Sequence, residues 1–238
     1  MEKRLKYEKK INLWDNGYVE YSDHMGNDNT PLISARMSTG NETGVDVVKD
    51  DNLRDYLWRH GHVSVFEQAI VQVTTKVPIF LARQLMRHKL NVNEFSMRYS
   101  EPLHEYYKPD PWNVGYDSKE NKQATDGQVG MTMYAELMED YCELEKNSKE
   151  IYEYWRGQGL SKERVRDFQP VSAYTKLMFT GNLRDWLFML SKRLSPDAQG
   201  ETREWSAAVY EIIKDLFPKT CLVFEENTLN GQHFSGKE

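Results

Sequence analysis

A chain of 238 residues is long enough for one large domain or two small ones and can bury a real core. With 39% hydrophobic and 29% charged residues and a formal net charge of −6, it reads as a soluble globular protein, and the acidic balance argues against a general nucleic-acid-binding surface. Cys142 and Cys221 show neither metal-ligand spacing nor a disulfide framework, Met1-Glu2-Lys3-Arg4-Leu5-Lys6 has no apolar leader, and no apolar run reaches membrane-spanning length, so a reducing cytoplasm away from membranes is expected.

In chain order, residues 10–22 predict two short strands about the turn Asp15-Asn16-Gly17. Asp50 or Asp51 is expected to cap a helix carrying Leu53, Tyr56, Leu57 and His60 on one face, with Gly61 as its terminator. Residues 67–77 alternate so that Ala69, Val71, Val73, Thr75 and Val77 share one side of a strand. Pro78 suits the first turn of a helix reaching His88, which would place Gln84, Arg87 and His88 on one face. Residues 100–129, with their prolines, glycines and polar stretch, predict a long surface loop that could act as a lid. A helix over 130–155 follows, with Met131, Tyr134, Met138, Tyr141, Ile151 and Trp155 as a packing stripe, ended by Gly157 and Gly159. Ser172–Thr180 predicts a strand, after which Asn182 caps a helix with Leu183, Leu187, Leu190 and Leu194 toward the core. Eleven residues at about 100° each return nearly to the starting azimuth, so Asn182 and Arg193 lie along one line of that helix, away from the leucines. Ser195 and Pro196 look like N-cap and N1 of a last helix reaching Pro218, and the tail 228–238 is expected to fray. No linker divides residues 1–238, so one domain is expected.

The chemistry is concentrated between Arg87 and Tyr99. From Glu94 to Tyr99 polar and apolar residues alternate, which in an extended backbone puts Glu94, Ser96 and Arg98 on one side. Arg87, His88 and Lys89 add up to three positive charges just upstream, and such a set suits the phosphate of a small anionic ligand. The same alternation also describes an edge strand carrying a surface ion pair of little energetic weight. His60, His62 and His88 do not make a zinc cluster, so no metal is expected. Cys142 lies among carboxylates, and neither cysteine looks activated as a nucleophile. No glycine-rich phosphate loop of either common pattern is present.

The run resembles the signature of flavin-dependent thymidylate synthases: Arg87-His88-Lys89, six residues, then Ser96, with Asn93-Glu94 before it and Arg98-Tyr99 after it. Further segments agree in order: Gly17-Tyr18-Val19-Glu20, His24-Met25-Gly26-Asn27-Asp28, Ser34-Ala35-Arg36-Met37-Ser38, Gly61-His62-Val63-Ser64-Val65-Phe66-Glu67, Pro78-Ile79-Phe80-Leu81-Ala82-Arg83-Gln84, Asn182-Leu183-Arg184-Asp185-Trp186, and Arg193 followed by Asp197-Ala198-Gln199. The resemblance spans about residues 11–205 and implies an α+β fold, an antiparallel sheet packed with helices, assembled as a homotetramer with sites shared between subunits. It implies reductive methylation of dUMP to dTMP, with methylenetetrahydrofolate as carbon donor and FAD, reduced by NADPH, as hydride source.

By position, Arg193 matches the arginine that contacts the uracil and favours its ionisation at N3, and Ser96 is carried with it as a catalytic candidate. Gln84, Arg87, Glu94, Phe95, Ser96, Met97, Arg98 and Arg166 match dUMP contacts. His62, Ser64, Arg87, His88, Lys89, Glu94, Asn182, Arg184 and Phe188 match the flavin surroundings. Three features depart from the family: Lys89 stands for arginine, the segment before Ser96 is one residue short, and Phe188 stands where a polar flavin contact is usual. Those departures leave a non-catalytic flavin- or dUMP-binding homologue as the alternative.

Overall fold

The computed structural model describes residues 7–40, 47–119 and 125–229. Their central feature is an antiparallel sheet of five strands in the order β1-β2-β3-β7-β4. β1 (Lys10–Leu13) and β2 (Gly17–Met25) form the expected hairpin, with Leu13 opposite Gly17. A side chain at Gly17 would meet the Trp14 ring at 2.7 Å, so glycine is required there. β3 (Ile70–Pro78) pairs along its whole length with β7 (Tyr174–Asn182). The alternation holds: Ala69, Val71, Val73, Thr75 and Val77 are all fully buried. Burying each such valine is worth about 1.5–3 kcal/mol, which fixes the register, because a slip by one residue would turn the whole set outward.

α6 (Leu183–Arg193) and α7 (Gly200–Leu216) contribute the other half of the core, with Leu183, Trp186, Leu187, Leu190, Trp205, Val209 and Ile213 buried. Both buried tryptophan N–H groups are satisfied by the sheet: Trp186 donates to the Val71 carbonyl at 3.0 Å and Trp205 to the Thr75 hydroxyl at 2.9 Å. The architecture is therefore α+β, an antiparallel sheet packed with helices.

Several expectations are corrected. After α1 (Thr30–Met37), α2 (Val47–Arg59) begins before Asp50, which is an interior residue paired with Arg36 of α1 rather than a cap. Residues Val63–Gln68 form a 3-10 turn, so the strand starts only at Ile70. α3 (Ile79–Leu85) stops short of Arg87 and His88, so those two do not share a helix face with Gln84; Pro78 is its N-cap. β4 (Asn91–Glu94) ends before Ser96, where a turn closes through N–H groups of Tyr99 and Ser100 donating to the Ser96 carbonyl. Glu94, Ser96 and Arg98 are thus not aligned on one side of a strand.

The 100–129 stretch, in its described part, is not a free lid. Tyr106 and Tyr107 are buried, and Tyr107 donates to the buried Glu201 at 2.8 Å. It does contain the two-residue strands β5 (Tyr116–Asp117) and β6 (Thr125–Asp126). α4 (Met131–Gly157) buries only Ser148 and Tyr152; Met131, Ile151 and Trp155 of the expected packing stripe are exposed. Next come α5 (Lys162–Val165) and, at the other end of the chain, α8 (Pro218–Phe224). α7 starts at Gly200, not at Ser195, because Arg203 donates to the carbonyls of Pro196 and Ala198 and holds that segment as a loop. Of the expected tail, residues 230–238 lie outside the described residues.

Candidate active site

The turn after α3 carries Arg87, His88 and Lys89. It is pressed onto β7: a Cβ at Gly181 would lie 2.2 Å from the Leu90 side chain, so only glycine lets the turn come this close. Arg193, at the C-terminal end of α6, reaches the turn. Its Nε donates to His88 Nε2 at 2.8 Å and its Nη2 to the Gln84 carbonyl at 3.2 Å. Gln84 is itself held, accepting from Thr202 Oγ1 at 2.9 Å and donating to Gln199 Oε1 at 2.6 Å.

A nitrogen that accepts a hydrogen bond carries no proton, so His88 is the neutral tautomer with its hydrogen on Nδ1. Burial, reinforced by the Arg193 charge, pushes its pKa down to about 4. The expectation of three positive charges here is therefore corrected to two, Arg87 and Lys89, with Arg193 as a third cation from another element. Burial and the neighbouring Arg87 charge also lower the pKa of Arg193, although a guanidinium stays charged at any physiological pH.

The β7–α6 junction supplies the next part. Asn182 is both the last residue of β7 and the N-cap of α6, accepting from the Asp185 N–H at 2.8 Å while donating to its carboxylate at 2.9 Å. Lys89 approaches the Asp185 carboxylate at 3.9 Å, and Arg184 pairs with Glu67 of the 3-10 turn. Ser64 belongs to that turn and His62 is its N-cap; both are exposed. His62 and His60 lie nearly parallel to the Tyr56 ring, with centroids 6.0 and 4.1 Å away. Phe188 is 63% exposed on α6, with Lys192 Nζ 5.9 Å from its ring. His88 is bonded to Arg193, while Lys89, Asn182 and Arg184 meet at Asp185, and the turn that carries His62 and Ser64 is tied to α6 through the Glu67–Arg184 pair. Glu67, Asp185 and Gln199 stand in the quoted segments without a role assigned to them, and Thr202 is not singled out by the sequence. Asp185, three residues after the cap Asn182, is a legible capping signal, whereas nothing local shows that Gln199 and Thr202 hold Gln84.

A second set sits elsewhere. The Phe95 N–H donates to the Lys176 carbonyl at 2.8 Å, and the Arg98 N–H to Ser96 Oγ at 3.3 Å. Arg98 pairs with Glu163 at 3.4 Å, and the half-buried Arg166 follows directly after α5. Met97 is half-buried in this turn, and Glu94 accepts from the buried Thr175 hydroxyl at 2.9 Å. Asn91 lies opposite Thr180, and the four residues of β7 from there to Lys176 span about 13 Å. β4 thus separates the basic turn from the Ser96 turn. Among the described residues, no hydrogen bond or ion pair links the two sets, and no group of His, Cys, Asp and Glu could hold a metal. Among the described residues, no helix is long and apolar enough to cross a membrane.

Comparison with known proteins gives this geometry its context. The profile of the family described as thymidylate synthase complementing protein matches residues 20–219. A flavin-dependent thymidylate synthase of Thermus thermophilus is 35% identical over 229 residues, covering 96% of this chain and 83% of that protein. Its namesake from Treponema denticola is 34% identical over 236 residues, covering 97% of this chain and 87% of that protein. Among solved structures, the UMP/dUMP methylase PolB of Streptomyces cacaoi bound with 5-Br dUMP matches with a TM-score of 0.83 at 27% identity, covering 92% of this chain and 98% of that one. With 5-Br UMP bound, the same protein matches with a TM-score of 0.82 at 26% identity, covering 92% of this chain and 97% of that one. The chain belongs to the thymidylate synthase complementing protein family, the family of the flavin-dependent thymidylate synthases.

Proposed function

We propose that the chain is a cytoplasmic, single-domain flavin-dependent thymidylate synthase that methylates dUMP to dTMP, with methylenetetrahydrofolate and NADPH as co-substrates. The observation that carries the reading is Arg193: two of its N–H groups are held inside the protein by His88 and Gln84, and the rest of its fork remains for a ligand. A fixed cation beside the flavin-contact set stabilises negative charge developing on a uracil ring. The residues present fit FAD by the chemistry of their donors. Exposed Arg87, Lys89 and half-buried Arg184 offer cations to a pyrophosphate, and exposed Phe188 and His62 offer ring faces to a planar group. FAD, when bound and reduced, supplies the hydride.

Gln84, Arg87 and Arg193 would meet the pyrimidine side of dUMP, and Glu94, Phe95, Ser96, Met97, Arg98 and Arg166 its sugar and phosphate. These groups lie on either side of β4 with no bond between them among the described residues of one chain, and the reading takes the Ser96 turn that meets Arg193 from a second protomer. A homotetramer supplies that second protomer. Its formation is supported by the exposed Leu144, Ile151 and Trp155, which share one face of α4 and form an apolar surface that a monomer leaves in water. Purified protein should be yellow, and it should release tritium from dUMP labelled at carbon 5 when folate and NADPH are supplied, since that hydrogen leaves as a proton when the new carbon bond forms. Protein that cannot be loaded with FAD, or that loads and releases no tritium, would end this reading.

A further inference from the structure

The basic turn contains one group that cannot serve as a cation. His88 presents Nε2 to Arg193 as an acceptor, at 2.8 Å, in a half-buried position. Arg193 also lies near Arg87, a like charge that tends to turn the guanidinium away. The Gln84 carbonyl holds one Nη group only, which leaves the plane of the fork free to rotate about that contact. A second, neutral acceptor at Nε fixes the plane. The turn that offers it is itself placed by the close approach of Leu90 to Gly181.

We infer that His88 is a positioning residue for Arg193: its neutral imidazole fixes the guanidinium plane so that the remaining N–H groups face the pyrimidine of the substrate. This rests on reading Arg193 as the uracil contact. It differs from a role in gripping the flavin, which would need His88 to act on the cofactor rather than through Arg193. It also explains why a histidine stands between two cations: an arginine or lysine at 88 has donors only and would repel Arg193.

The test uses full-length protein loaded with FAD. His88→Leu removes the acceptor, and His88→Gln supplies one of similar reach. Both should retain bound flavin. Losing a hydrogen bond to a charged group should lower kcat/KM for dUMP in His88→Leu by about tenfold or more, and His88→Gln should recover most of that loss. In the Arg193→Ala background, which is not expected to turn over, dUMP affinity is read instead, and His88→Leu should lower it no further, because a residue that acts through Arg193 has nothing left to position. Equal losses in His88→Gln and His88→Leu, release of flavin by either, or a further loss of dUMP affinity in the Arg193→Ala background would each overturn the inference. Wild-type protein that holds flavin but does not respond to dUMP would instead overturn the proposed function, and this inference with it.

Discussion

His88 accepts its hydrogen bond only while unprotonated, so the proton balance of folding depends on it. Its pKa falls from about 6.5 to about 4 on folding, so the native state binds fewer protons than the unfolded chain between these values. Its contribution to stability is therefore complete above about 6.5 and is lost progressively as the pH falls toward 4. Thermal unfolding of wild type and of His88→Gln should diverge: the wild-type melting temperature should drop more steeply between neutral pH and about pH 4.5. Parallel curves would show that His88 is not the group responsible. The cysteines make a second case at this scale. Burial pushes the Cys221 thiol up to about 12, and Cys142 is exposed on α4, far in sequence from the basic turn. Iodoacetamide should label Cys142 and spare Cys221 in the native protein, and Cys142→Ser should keep full turnover. A loss of turnover in that variant would mean that a thiol takes part in the chemistry.

At the scale of elements, two adjacent residues of the β7–α6 junction do different work. Asn182→Ala removes the cap of α6 and should cost about 1 kcal/mol in denaturant unfolding. Gly181→Ala keeps the cap but drives a methyl group into Leu90, so it should displace the basic turn and weaken flavin binding more than it weakens the fold. Flavin affinity equal to wild type in Gly181→Ala would separate the turn from the cofactor. The same junction shows what local sequence can and cannot reveal. The hairpin, the alternation of β3, the cap at Asn182 and the leucines of α6 were legible because each is a short-range pattern with a physical cause. The end of α3 at Leu85 was not, because the turn after it is set by Leu90 meeting Gly181 from far along the chain. Ser195-Pro196 has the form of a helix start, yet two hydrogen bonds from the Arg203 side chain to the Pro196 and Ala198 carbonyls hold it as a loop. The partnership of His88 with Arg193 was also out of reach, since both residues were assigned separate roles and nothing local pairs them.

For the whole molecule, the informative fact is a separation. The residues proposed to hold the flavin gather with Arg193 around α6, whereas Ser96, Arg98 and Arg166 gather beyond the other end of β4, about 13 Å of strand away. Among the described residues, no bond joins the two sets within one chain, and the proposed reading takes them from two protomers that share the site. Complementation tests it most directly: Arg193→Ala and Ser96→Ala, each expected to be inactive alone, are co-expressed, purified together and assayed for tritium release from dUMP. With random mixing across a symmetric interface, roughly a quarter of the sites would contain both native residues and turn over normally. Recovery of about that fraction is the expected result; co-assembled protein that stays as inactive as either variant alone would contradict the shared site.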